Sequence, residues 1–485
     1  MIVLLDRLGS VTGGTGADAT WSGARLARET RRRASRLHTR DIGPGDRVMI
    51  THGGTPAFFA DLFATWQVGA CAACINPGLM PSELSNVATF LAPKLILAAA
   101  SSAEAISGAD VISCAGDEVA GEPVSGIAAS GRLDDPALIL FTSGTTGTPK
   151  GVVHSFRSLA ARIALNQTVI PAAERARVLC PLPTHFGHGL IGNALTALAS
   201  GGDLTLFAGN DLRAAAQLGA TLDRLDITFM SSVPSFWRLA MKASKPPQKG
   251  TLRRVHVGSA PLSATLWREI AAWCGTRNVV NMYGITETAN WIAGASAADH
   301  QPEDGLVGRM WGGDAAVIGD DGELRAEGRG EIVVQPPSLM VEYLQRPDLT
   351  AEALTGGWLR TGDTGRIDRD GTIRLTGRIK HEINQAGIKV SPEDIDVLLE
   401  QQASVRDVCA FGMPDALAGE IVAVAVCPSD AAGFDIASLK CWVAEHLARE
   451  KRPQRWFIVE SIPRSERGKL DRTAVARLCN NLTPV

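Results

Sequence analysis

Neither sign of charge dominates this chain: 48 Lys plus Arg stand against 51 Asp plus Glu, a net charge of −3 over 485 residues. That balance excludes the broad basic surface that nucleic acid or an anionic membrane would attract, so any anionic ligand has to be held by local groups. Apolar length is lacking at the start as well. The opening M-I-V-L-L breaks at Asp6 and Arg7, too short for a signal-peptide core or a membrane span. A disulfide framework is missing too, because the nine cysteines are odd in number and have no framework spacing. Cys71 and Cys74 form a C-x-x-C, yet the run G-A-C-A-A-C-I-N-P reads as a buried strand entering a turn, with no second pair nearby. Such thiols suit a reduced, cytoplasmic setting. No internal repeat or low-complexity tract interrupts the chain.

What is present is core-forming material. The length suggests two or three domains, and 45% hydrophobic with 20% charged residues is globular composition. Short apolar runs around Val48, Ile96, Phe141 and Val255 alternate with amphipathic segments at 56–69 and 263–274, a strand–helix alternation that predicts α/β layers. From about Gly322 short strands and Gly/Asp turns predict hairpins. After Gly377 about one hundred residues make a separate small domain. The expected fold is therefore α/β. A large N-terminal domain (1–379) has layered α/β subdomains and a β-rich part, and a small α+β C-terminal domain (380–485) follows.

The most informative segment is T-S-G-T-T-G-T-P-K-G, residues 142–151, entered directly from the strand A-L-I-L-F. Gly144, Gly147 and Gly151 let the backbone approach a ligand closely. Backbone N–H groups and the hydroxyls of Thr142, Ser143, Thr145 and Thr146 can donate to phosphate oxygens, and Lys150 adds charge. The Walker spacing is absent, so polyphosphate is held in another way.

This loop resembles that of the adenylate-forming superfamily, which includes acyl-CoA synthetases, firefly luciferase and the adenylation domains of peptide synthetases. Further motifs of the family recur in order over nearly the whole chain. The resemblance implies a mobile loop on the ATP β- and γ-phosphates and an acid–thiol ligase, an AMP-forming acyl-CoA synthetase. Its small-molecule partners are then a carboxylic acid, ATP, CoA and Mg²⁺, with no nucleic acid and no membrane span.

In N-M-Y-G-I-T-E-T, residues 281–288, a tyrosine can stack on adenine, a threonine can reach the α-phosphate and a carboxylate can hold Mg²⁺. The resemblance assigns these roles to Tyr283 (with Gly284), Thr286 and Glu287. Upstream, Gly258, Ser259, Ala260 and Pro261 are similar to the segment between adenine and the acyl pocket, although a plain strand exit reads nearly as well. In G-W-L-R-T-G-D-T-G and L-T-G-R-I-K, Asp363 and Arg378 suit ribose and phosphate, although a hairpin-turn aspartate is common. By resemblance Lys380 is the hinge of the small domain.

In P-R-S-E-R-G-K-L-D-R, Lys469 is either a basic surface-loop residue or, as the resemblance implies, the lysine that bridges carboxylate and α-phosphate. The stretch E-I-N-Q-A-G-I-K resembles the loop entering for the second half-reaction, with Gly387 beside the pantetheine channel. Asn384 stands where some relatives have lysine. In P-L-P-T-H-F-G-H-G-L, residues 181–190, His185 and His188 lie three apart without a nearby carboxylate or cysteine, which gives zinc little support. By resemblance either His185 or Phe186 gates the thiol channel, and Gly187 in place of aspartate argues against an α-amino acid.

The acyl pocket is expected to draw on Phe186, the segment 258–261, Asn281, Met282 and Trp291, with a lean towards a fatty or aryl acid. Two other readings stay open: loading of a carrier-protein phosphopantetheine, and a non-catalytic nucleotide-binding scaffold or sensor. The N-terminus is short for the family, which leaves the first sheet open.

Overall fold

The structure, a computed structural model, describes residues 8–13, 19–98, 110–113, 131–142, 150–207, 212–385, 388–415, 418–447, 449–465 and 468–485. Among these residues three sheets form the framework.

The first sheet has a parallel centre. Arg47–Ile50 lies between Cys71–Cys74 and Leu95–Ala98, with Asp110–Ser113 and Pro136–Thr142 outside them. The strands at 47–50, 71–74, 95–98 and 136–142 read as largely apolar runs because both faces are covered. Val48, Ile50, Ala72, Cys74, Leu138 and Leu140 enter one core, whereas Met49, Cys71, Ala73, Ile96 and Ile139 enter another. The C-x-x-C thus lies in a buried strand, and burial pushes the Cys71 thiol up to about 12. The helix Pro56–Gln67 packs on this sheet. Thr55 caps it, Pro56 begins it, and Phe58, Phe59, Phe63 and Trp66 are buried along it. Each such side chain contributes about 1.5–3 kcal/mol by leaving water. Trp66 also donates Nε1–H to the Ala137 carbonyl at 2.7 Å, which fixes the helix against the strand.

In the second sheet Asp203–Leu206, Arg177–Cys180, Phe229–Ser232, Arg254–Val257 and Val279–Ile285 run parallel, and Asn290–Ser296 turns back antiparallel. The strands Val11–Thr12 and Thr20–Trp21 join it beside Asp203–Leu206. Beyond Leu306–Met310 the sheet continues as an antiparallel stretch that includes Ile373–Arg378, Trp358–Ile367, Gly328–Gln335 and Asp314–Ile318. This is the hairpin-rich part expected after Gly322.

A short 3₁₀ turn, Ile379–His381, leads out of that region. The third sheet then pairs Ile388–Val390, Ile383–Gln385, Gly419–Pro428, Val405–Asp415 and Arg455–Ile458. Its two faces carry separate cores, one around Ile395, Leu439 and Val443 and one around Phe457, Val475 and Cys479, and all their members follow residue 380. The small part thus has a hydrophobic interior of its own. No helix among the described residues is long and apolar enough to cross a membrane.

Candidate functional site

The ends of the phosphate loop are brought together by the antiparallel pairing of Thr142 with Lys150. Ser143, Gly144, Thr145, Thr146 and Gly147 lie outside the described residues, as does Gly387. Lys150 itself is placed. Its Nζ lies 3.6 Å from the Tyr343 ring centroid and 3.9 Å from Glu287 Oε1. Burial lowers the Lys150 pKa, and the Glu287 charge opposes that fall.

Glu287 sits in the turn Thr286–Thr288, between the strands Val279–Ile285 and Asn290–Ser296. Ala289 and Asn290 reverse the chain there with left-handed φ of 53° and 88°. Two bonds pin this turn: His154 Nε2–H donates to the Thr286 carbonyl at 2.8 Å, and Met340 N–H donates to the Glu287 carbonyl at 2.7 Å. The Glu287 carboxylate is aimed by the Tyr343 hydroxyl, 2.8 Å from Oε1. Among the described residues no three His, Cys, Asp or Glu side chains cluster as a metal cage. A lone oriented carboxylate instead fits Mg²⁺, which takes one or two protein carboxylates and completes its sphere with water and substrate phosphates.

A second group lies where Asp363 and Arg378 are direct cross-strand partners. Arg378 Nε is 2.5 Å from Asp363 Oδ1, and the Tyr283 hydroxyl donates to Oδ2 at 2.8 Å. Asp363 is 4% exposed, so its charge is neutralised locally rather than by water. Burial raises the Tyr283 pKa, with the Asp363 charge adding to it, and so keeps the phenol protonated as the donor. Lys380, two residues beyond Arg378, shares this field. Burial lowers its pKa, as do Arg378 and Lys150, while Asp363 and Glu287 oppose them.

The third group is built on His188. Its Nδ1 is 2.8 Å from Ser259 Oγ and its Nε2 is 2.5 Å from Ser231 Oγ. Burial pushes the His188 pKa down to about 3, and the charge of Lys469 adds to the fall. Lys469 is thus near enough for its charge to act on His188, and Ser259, the hydrogen-bond partner of His188, holds a left-handed φ of 67°. A Cβ on Gly468 would come within 2.7 Å of Ser235 Oγ, so the Lys469 turn rests on the start of the helix Pro234–Ala243.

His188 opens a π-helix, His188–Leu195. Such i→i+5 turns are rare and cluster at functional sites. Here Asn193 Nδ2 donates to the His188 carbonyl and Thr196 Oγ1 donates to the Ile191 carbonyl, which satisfies groups in the widened turn. Gly192 is required because a Cβ would come within 2.1 Å of Asn290 Nδ2 and 2.8 Å of the Trp291 ring. His185 and Phe186 lie at the entrance to this turn with ring centroids 4.1 Å apart. Met282 packs beside Gly258. Asn281, one residue earlier, commits its amide to the Leu306 carbonyl at 2.7 Å, because alternate strand residues face opposite ways.

Tyr343, His154 and Ser231 escaped the sequence reading. His154 stands three residues beyond the phosphate motif, whereas Tyr343 and Ser231 carry no local signal.

The paired ends of the 142–150 loop, the Asp363–Arg378 pair held by Tyr283, the Glu287 carboxylate aimed by Tyr343 and a lysine on the smaller C-terminal domain are the geometry that an ATP-dependent adenylating enzyme calls for. The family models agree in extent and order. AMP-binding enzyme matches residues 8–344, AMP-binding enzyme C-terminal domain matches residues 394–469, and the chain belongs to this adenylate-forming family in its acyl-CoA synthetase branch. The oxalate–CoA ligase of Arabidopsis thaliana is 29% identical over 483 residues, covering 94% of this chain and 92% of that protein. A long-chain-fatty-acid–CoA ligase of Mycobacterium tuberculosis is 29% identical over 458 residues, covering 90% and 88%. The crystal structure of ATP-bound MatB from Rhodopseudomonas palustris superposes with a TM-score of 0.87 at 26% identity, covering 98% and 96%.

Proposed function

We propose that this enzyme activates a carboxylic acid with ATP and passes the acyl group to the thiol of CoA, with release of pyrophosphate and AMP. The observation that carries the reading is the packing of the Gly468–Lys469 turn of the small domain on Ser235 of the large one, in a structure where Tyr343 aims Glu287 and Tyr283 and Arg378 hold Asp363.

Hydroxide is a poor leaving group, so the carboxylate must first be converted. One carboxylate oxygen forms a bond to the α-phosphorus, the bond to the bridging oxygen breaks, and pyrophosphate leaves. Lys469 and Lys150 offset the charge that builds on the carboxylate–phosphate end and on the departing phosphates. Tyr283, Asp363 and Arg378 hold the nucleoside in register. Mg²⁺, held by Glu287, supplies charge neutralisation at the phosphate oxygens when bound. In the second step the thiol gives up its proton to solvent, its sulfur attacks the acyl carbon, the acyl–phosphate C–O bond breaks and AMP departs. The small domain (380–485) turns about Lys380 between the steps, which takes Lys469 away and makes room for the thiol.

The relatives' names span oxalate and long-chain fatty acids, so membership alone does not select the acid. CoA as the acceptor and the cytoplasm as the setting are the readings that fit the relatives' names and the free thiols, buried among the described residues except for Cys441. Pyrophosphate release across a panel of acids, with and without CoA, tests the function. Acid-dependent release and a CoA thioester support it; thioester formation only on a phosphopantetheinylated carrier protein would overturn CoA as acceptor.

A further inference from the structure

His256 lies on the strand Arg254–Val257 with 0% exposure, and neither ring nitrogen has a hydrogen-bond partner. His154 and His188, also buried, each hold at least one. The surroundings of His256 are aromatic: ring centroids of Trp291, Phe229 and Trp311 lie 4.6, 4.9 and 5.8 Å away. Trp291 Nε1, a donor only, is buried without a partner as well. Burial, with Arg254 and His188 adding to it, holds the His256 pKa well below the ordinary histidine range, so the ring is neutral and carries one N–H.

This group continues the site already described. Ser231 and His256 are register partners on adjacent parallel strands and share a face. His188, bonded to Ser231 and Ser259, lies 5.4 Å from the Trp291 ring. These neighbours run in series from Ser259 through His188 and Ser231 to His256 and Trp291, and on the ligase reading the series starts where Lys469 meets the reacting carboxylate. Both rings are buried there, and Gly192 leaves room for the indole edge. A long alkyl chain would meet these rings and bury the two N–H groups without partners. A short chain tipped with oxygen would satisfy them.

Resting on the ligase reading above, we infer that the acid activated by this enzyme is short and ends in an oxygen acceptor, which His256 and Trp291 hold at the closed end of the pocket. His256 is then a specificity-determining residue. The test is acid-dependent pyrophosphate release, without CoA, for oxygen-tipped acids (3-hydroxypropionate, 4-hydroxybutyrate, succinate) against methyl-tipped ones (butyrate, pentanoate, decanoate). An oxygen-tipped acid is expected to exceed its methyl-tipped counterpart by about tenfold or more in kcat/KM. His256→Leu should erase that gap while keeping turnover of the methyl-tipped acid, and His256→Gln, which keeps a donor, should retain part of it.

Preference for decanoate, or an equal loss for all acids in H256L with the acid ranking unchanged, would overturn the inference and leave the ligase reading standing. An enzyme that binds ATP but releases pyrophosphate with none of these acids would count against both. Acid-dependent release that never yields a CoA thioester would sink only CoA as acceptor.

Discussion

Arg238 of the large domain and Glu400 of the small one form an ion pair at 2.5 Å, across 162 residues of sequence. Both are largely covered, and burial raises the Glu400 pKa against the opposing charge of Arg238. The pair joins the helix Pro234–Ala243, on which the Lys469 turn rests, to the segment just after the helix Pro392–Leu399. It therefore favours the orientation that presents Lys469. Removing one partner of a covered pair destabilises the arrangement that contains it. Arg238→Ala should slow acid-dependent ATP–pyrophosphate exchange about three- to tenfold and leave thioester formation from preformed acyl-adenylate unchanged or faster. Equal slowing of both half-reactions would show that the pair does not select between orientations.

Lys469→Ala should remove the charge next to His188 and reduce acid-dependent pyrophosphate exchange by about 10²-fold or more. Thioester formation from synthetic acyl-adenylate should stay within a few-fold of the parent. Half-reactions measured separately decide the matter, and a parallel collapse of the second step would contradict the division of labour.

Tyr343→Phe keeps the ring beside Lys150 but deletes the donor to Glu287, a loss of about 1.5–3 kcal/mol for a hydrogen bond to a charged group. The KM for MgATP should rise about tenfold, with the KM for the acid hardly changed. A rise in the acid KM alone would remove Tyr343 from the metal end.

Buried neutral histidines make stability depend on pH. The folded pKa of His154 is lowered by burial to about 4, whereas in the unfolded chain the side chain titrates near 6.5. Between these values the unfolded state binds more protons, so stability falls as pH drops from about 6.5 to 4, by about 3 kcal/mol for this residue. Denaturant unfolding at pH 7, 6, 5 and 4 should show this slope, and His154→Gln, which can still donate to Thr286, should flatten it. A variant with an undiminished slope would place the acid sensitivity elsewhere.

The fold and the family were legible because their signals, including the motifs assigned to the nucleotide, lie in short contiguous segments. Gly144, Gly147, Tyr283, Glu287, Asp363 and Lys469 occur in ordered motifs, and the apolar runs at Val48, Ile96 and Val255 became parallel strands. What stayed hidden depends on tertiary neighbours. Tyr343 reaches Glu287 across 56 residues, and no local pattern announces Arg238. His256 looked like one more strand residue in R-R-V-H-V, because its meaning arises only when Phe229, Trp291 and Trp311 surround it. Asn281 was grouped with Met282, but the two-residue period of a strand sends its amide to Leu306 instead.

If the acid lies where we propose, the wide turn at 188–195 makes its site a matter of chain length as well as of side-chain identity. Dropping one residue there would let the segment rewind to the ordinary i→i+4 pattern, without altering any other lining group, and would swing the His188 imidazole away from both serines. Variation in that stretch among related enzymes would thus remodel acid choice through a counted peptide unit, a route that a side-by-side list of pocket residues would miss.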